Sequence, residues 1–246
     1  MPSEVRKAFK ILRSDGLIPL VRKGVPFVHD NYISSHLPRA VVQYNGVAVK
    51  AGRLFDTSLP WREGHRPQFE SGLISAISRH VSSGDDVVIV GGGWGVTAVA
   101  AAKQVGDSGS VTVFEGAKRE VKRVKETVAL NSVSDIVEVH HAIVGPEIHL
   151  KSAAGDPARV PPDQLPRCDV LELDCEGSEI DILKNLSSRP EYVFVETHGI
   201  YEAPTDEVRK VLEELDYEIT HCEIGAEDYR TDCEEYDIYV LTGQRI

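Results

Sequence analysis

Residues Asp86–Ala102 read DVVIVGGGWGVTAVAAA, a run of buried β-type residues that meets alternating glycines and then a helix of small residues. Val87–Val90 is short and apolar, which suits a central parallel strand covered on both faces. Gly91, Gly93 and Gly95 permit a sharp turn and a close approach of backbone to ligand, because no Cβ stands in the way. Gly92 and Trp94 occupy the places between them. Val96–Lys103 continues as an alanine-rich helix whose free N–H groups point back at the turn. A strand, a glycine turn and a helix in this order form a seat for the polar part of a nucleotide-type cofactor.

Spacing narrows the cofactor. A dinucleotide fingerprint requires G-x-G-x-x-G/A. Counted from Gly91, the sixth place is Val96 and the third glycine arrives one residue early, at Gly95. One step further on, Ser110–Phe114 reads as a strand with Glu115 at its carboxyl end, followed by Gly116. A carboxylate there can accept hydrogen bonds from both hydroxyls of an adenosine ribose. An acid facing the dipole of helix Ala117–Leu130 would look the same.

Cys168–Leu183, CDVLELDCEGSEIDIL, repeats the strand-to-helix design with acids in place of glycines: strand Val170–Leu173, then Asp174-Cys175-Glu176-Gly177-Ser178-Glu179, then a helix. Glu179 reads equally as a substrate contact or as a first-turn acid, and Ser178 with Asp181 resembles a helix cap. A fifth strand ends in Val195-Glu196-Thr197-His198. The G-x-G-x-G turn with D-x-E-G-x-E in this position resembles the FkbM-like branch of the class I S-adenosylmethionine-dependent methyltransferases. Phe69-Glu70 before a helix, Asp86, Glu115 and Asn131 fall in the matching order, so the likeness runs from about Phe69 to Gly199. Two places depart from it: Ile89 stands where the family often has Asp, and Gly116 where it often has Pro.

The resemblance implies an α/β fold, a doubly wound, mostly parallel seven-stranded sheet with an antiparallel last strand, and S-adenosylmethionine as cofactor. It places Glu70, Gly91, Gly92, Gly93, Trp94, Gly95, Glu115, Gly116, Ala142 and Asp174 around the donor. Asn131 is equally a helix terminator, Trp94 and Ala142 are equally packing residues, and only one of His140 and His141 can face a ligand. The reaction implied is methylation of oxygen on a sugar, glycan or small polar metabolite. Asp174, Glu176, Glu196 and His198 stand at the carboxyl ends of strands four and five, where transfer takes place. His198, with an ordinary pKa of about 6.5, or Asp174 would take the hydroxyl proton. Alternatively Asp174, Glu176 and Glu196 hold Mg²⁺ or Ca²⁺.

Composition bounds the rest. The 246 residues carry a net charge of −12, unevenly: residues 1–80 hold 12 Lys+Arg against 6 Asp+Glu, and residues 169–246 hold 6 against 22. A basic N-terminal segment could touch a phosphate-bearing acceptor or nucleic acid, or dock as a solvated surface. An RNA methyltransferase therefore stays open, although no N-P-P-[FYW] signature is present. A nucleotide-binding oxidoreductase and a non-catalytic donor-binding protein also stay open. No stretch nears the ~20 apolar residues of a membrane span, Met1–Lys10 has no signal-peptide core, and the four cysteines lack C-x-x-C spacing, so a cytoplasmic location is expected. Residues 1–68 read as an extension containing a helix (Glu4–Asp15) and a hairpin turned at Asn45-Gly46, with substrate or homo-oligomer contacts as its work. Residues 69–246 read as the catalytic domain, with Lys151–Pro166 a loop and the last two strands, Tyr217–Glu223 and Tyr236–Leu241, an antiparallel pair.

Overall fold

The computed structural model describes residues 33, 36–54, 58, 64–146 and 153–246. The chain divides into two compact units, 1–42 with 51–65, and 43–50 with 66–246. The helix expected at Glu4–Asp15 lies outside the described residues, as does most of the basic segment.

Strands β1 (Arg39–Tyr44) and β2 (Val47–Arg53) form a two-stranded sheet. Asn45 and Gly46 between them have φ of 45° and 77°, the paired left-handed residues that a type I′ hairpin turn requires. In the first unit, the Leu54 N–H donates to the Pro38 carbonyl at 2.9 Å.

The second unit follows the alternation expected from sequence. Its elements are α1 (Ser71–His80), β3 (Asp86–Val90), α2 (Val96–Val105), β4 (Ser110–Glu115), α3 (Lys118–Leu130), β5 (Val137–Val144), β6 (Ala158–Val160), β7 (Val170–Leu173), α4 (Glu179–Lys184), β8 (Tyr192–Glu196), α5 (Thr205–Glu214), β9 (Tyr217–Ile224), α6 (Arg230–Tyr236) and β10 (Tyr239–Arg245). The sheet order is β6-β5-β4-β3-β7-β8-β10-β9. Pairs from β6 through β8 are parallel, while β10 runs antiparallel to both β8 and β9. β3, at the point where strand order reverses, carries the glycine turn, as ligand sites in doubly wound sheets require.

Alternation along the central strands divides the core. Val88, Val90, Leu171, Leu173, Val193 and Val195 meet Ile182 and Leu183 of α4 and Val208, Val211 and Leu212 of α5 in one apolar cluster. At roughly 1.5–3 kcal/mol for each fully buried aliphatic side chain, this layer fixes the strand ends to which the polar residues are attached. No helix among the described residues is long and apolar enough to cross a membrane.

Three details differ from the sequence reading. The sheet has eight strands, not seven, because Ala158–Val160, within the expected loop, pairs with Ala142–Val144. His140-His141 obscures the apolar continuation of β5, which extends to Val144. The segment between the last two strands holds α6, a seven-residue helix too short for its period to stand out, and β10 begins at Tyr239, three residues later than expected.

Candidate functional site

The carboxyl ends of β3, β4, β7 and β8 bring the candidate residues together. Gly91 leaves β3 at φ 99°, and a Cβ built there would lie 1.8 Å from the Asp174 carbonyl oxygen. Only glycine fits. The turn is tied on both sides: Gly91 N–H donates to the Phe114 carbonyl and Asp174 N–H to the Val90 carbonyl, each at 2.9 Å.

Glu115, buried at the end of β4, closes this turn. Its Oε2 accepts from the N–H groups of Gly92 (2.9 Å) and Gly93 (3.1 Å), and its Oε1 from that of Ala117 (2.7 Å). The residue read from sequence as a ribose acceptor is thus also an organiser of the glycine turn. Glu70, at a left-handed φ of 49°, brings its Oε1 to 3.7 Å from where a side chain on Gly93 would begin. Trp94 packs edge-on to Tyr44, with centroids 5.9 Å apart, and under the Arg123 guanidinium at 4.0 Å. Gly95, at φ 77°, starts α2, and Gly116 is buried beside Glu115.

The acids gather around one imidazole. His198, only 5% exposed, places Nδ1 at 3.0 Å from Glu179 Oε1 and Nε2 at 3.5 Å from Asp174 Oδ1 and 3.6 Å from Glu196 Oε1. Glu179 also accepts from the N–H groups of Cys175 (3.1 Å) and Gly177 (2.8 Å), so one buried carboxylate folds the acidic loop and aims the ring. Residues 198–203 close on themselves, with His198 and Ala203 exchanging backbone hydrogen bonds at 2.8 and 3.2 Å. Burial pulls the His198 pKa down, but hydrogen bonds to Glu179 and Glu196 and the charge of Asp174 outweigh it and push it up to about 11. This lies well above the near-neutral value expected from sequence, because the surrounding carboxylates favour the charged form of the ring.

Asp174, Glu196 and His198 each offer a ligand atom within 4.8 Å of the others, a spacing that could hold a metal ion. Glu176 is not in this group. It takes a left-handed φ of 56° in the loop, so the trio expected as Asp174, Glu176 and Glu196 is instead completed by histidine.

Other marked residues have structural work. Ala142 lies within β5, paired with Ala158 and part of the apolar cluster. His140 stacks on Phe114 at 5.1 Å and His141 bonds the Ala154 carbonyl at 2.8 Å. Asn131 does not take a left-handed conformation; its amide accepts from Ala48 N–H at 3.1 Å and donates to the Ala48 carbonyl at 2.8 Å. Ser178 makes no side-chain cap.

Sequence reasoning missed Glu172, two residues before Asp174 in β7 and fully buried. Burial pushes its carboxyl up to about 8; the Thr97 hydroxyl opposes the rise, and Asp174 and Glu196 add to it. Neither oxygen has a partner of good hydrogen-bond geometry. An acid inside an otherwise apolar strand was the available signal.

Residues 158–219 match the family model described as the methyltransferase FkbM domain. None of the curated proteins matches the chain. Among solved structures, a ribosomal protein L11 methylase from Lactobacillus delbrueckii subsp. bulgaricus is 17% identical, with 72% of this chain and 78% of that one covered at a TM-score of 0.49. A SAM-dependent methyltransferase from Aquifex aeolicus is 16% identical (73% and 90% covered, TM-score 0.47), and a SAM-dependent O-methyltransferase from Thermotoga maritima 15% (78% and 70%, 0.48). Through the matched segment, which spans the acidic loop and the β8 end, the chain resembles the methyltransferase FkbM domain.

Proposed function

We propose that the chain transfers the methyl group of S-adenosylmethionine to a hydroxyl oxygen of a sugar, glycan or small polar metabolite. The observation that carries this reading is the juxtaposition of a glycine turn, closed by Glu115 and neighboured by Glu70, with the buried Asp174–Glu196–His198 cluster across one Gly91–Asp174 contact. The turn would seat the donor, with Glu115 facing its ribose and Glu70 its amino group. The donor's sulfonium is reactive by itself, so the protein's task is to align the acceptor oxygen in line with the S–CH₃ bond, exclude water and accept one proton. Asp174, Glu196 and His198, the ring held between the two acids by Glu179, are the groups placed to take that proton. The four cysteines are free, which supports a reducing, cytoplasmic setting.

A metal-assisted variant is favoured by one observation. Two carboxylates and an imidazole Nε2 within 4.8 Å form a suitable donor set, and Glu179 on Nδ1 is the outer carboxylate that metal-binding histidines characteristically have. A divalent ion there would supply a lowered pKa for the acceptor hydroxyl.

Calorimetry with S-adenosylmethionine, S-adenosylhomocysteine and NADH, with and without Mg²⁺, tests the reading. Binding of the first two alone is expected, and binding of NADH alone overturns it. Glu115→Gln is the informative variant, because Glu115→Ala also releases the N–H groups of Gly92 and Gly93. Labelled methyl transfer across sugars, small alcohols and RNA then identifies the acceptor. Donor binding without transfer to any of them favours a binding protein.

A further inference from the structure

Several arginines on this acidic chain are paired with acids: Arg79 with Glu223, Arg119 and Arg123 with Glu120, and Arg230 with Glu227 and Glu234. Arg66 is held by aromatic rings instead. Its guanidinium carbon lies 4.8 Å from the ring centroid of Tyr229, 5.5 Å from that of Tyr44 and 5.6 Å from that of Phe69. Among the described residues, no oxygen accepts a hydrogen bond from it. Three rings hold the cation by cation–π attraction and leave its five N–H donors unused. The backbone is pinned as well, since Asn45 N–H donates to the Arg66 carbonyl at 2.7 Å and Arg66 N–H to the Gln43 carbonyl at 2.8 Å.

The cage borders the candidate site on both sides. Tyr44 leads to Trp94 of the glycine turn, and Phe69 is followed by Glu70, which approaches Gly93. Tyr229 belongs to the segment after β9, where Glu227 N–H bonds Ser71 Oγ at 3.0 Å and a Cβ on Gly225 would stand 3.4 Å from Glu196 Oε2. Asn45 and Gln68, chain neighbours of the cage residues Tyr44 and Phe69, line a cavity of about 470 Å³ together with Ser71, Glu227 and the Arg79–Glu223 pair, a volume within the range of small-ligand pockets.

A half-buried guanidinium whose donors no oxygen of the described residues fills is a place for an oxyanion. We propose that Arg66, caged by Tyr44, Phe69 and Tyr229, anchors a carboxylate or phosphate group on the methyl acceptor. This rests on the methyltransferase reading above and narrows its substrate class to acidic or phosphorylated polar molecules. The planar fork of arginine matches both oxyanions in bidentate geometry, which lysine does not.

The test is titration of the full chain, with and without S-adenosylhomocysteine, using glucuronate, glucose 6-phosphate and glucose as probes. At least one of the two acids is expected to bind while glucose does not, and the tighter acid names the oxyanion. Arg66→Gln should abolish that binding and Arg66→Lys weaken it about tenfold, with Tyr229→Leu, which alters an exposed ring, weakening it too. Unchanged S-adenosylhomocysteine affinity in each variant shows that the fold is intact. The proposal is overturned if neither acid binds the wild-type chain, if glucose binds as well as the acids, or if Arg66→Gln binds the acids like wild type. If S-adenosylhomocysteine fails to bind while an acid still does, the donor assignment falls and the anion site stands.

Discussion

Glu179 Oε1 lies 3.0 Å from Nδ1 of His198, a wholly buried carboxylate against a nearly buried ring. The same acid accepts two N–H groups of the loop that precedes it. Removing it leaves the buried ring without its Nδ1 partner and frees two backbone donors. Glu179→Ala is therefore expected to lower stability by about 3 kcal/mol or more, seen as a shift of the urea midpoint. Glu179→Gln, which keeps an acceptor oxygen, should lose clearly less; equal losses would contradict the assigned role.

Glycine is mandatory at position 91 and only convenient at 46. A Cβ on Gly91 meets the Asp174 carbonyl at 1.8 Å, whereas one on Gly46 meets nothing within 4 Å, although both φ angles are positive. Gly46→Ala should cost about 1 kcal/mol, and Gly91→Ala more than 4 kcal/mol or the folded state itself. Thermal melts of the two variants side by side provide the comparison.

Asn131 clamps Ala48 by both backbone groups. Asn131→Ala should cost about 1–2 kcal/mol and, more tellingly, speed hydrogen exchange at the Ala48 amide. Unchanged exchange there would rule the clamp out.

His80 packs on Tyr192 at 4.6 Å with a buried Nε2 that lacks a partner. Burial, with His221 and Arg79 adding to it, lowers its pKa. The unfolded chain, with an ordinary histidine pKa of about 6.5, then binds this proton more readily than the folded one, so stability drops as pH falls below that value. His80→Phe keeps the stacking and should flatten the decline between about pH 6.5 and 5. A denaturation series across that window gives the answer.

The parallel core was legible because Val87–Val90, Val170–Leu173 and Tyr192–Glu196 are apolar runs ended by glycine or acid, and the Asn45-Gly46 turn was legible because few residues accept two consecutive positive φ angles. What escaped depended on contacts distant in sequence. β6 is a strand only because β5 offers it an edge, and three residues carry no period of their own. The upward shift of His198 could not be read from its ordinary pKa, because it comes from three carboxylates at the ends of β7 and β8 and the start of α4. Arg66 was equally silent: its rings come from positions 44, 69 and 229.

The bare contact between Gly91 and the Asp174 carbonyl has a mechanical meaning. With no side chain to act as a cushion, the turn after β3 and the end of β7 form a single rigid joint, also stitched by the Asp174–Val90 hydrogen bond. A substitution that displaces the turn is therefore expected to displace the acid beside His198 as well.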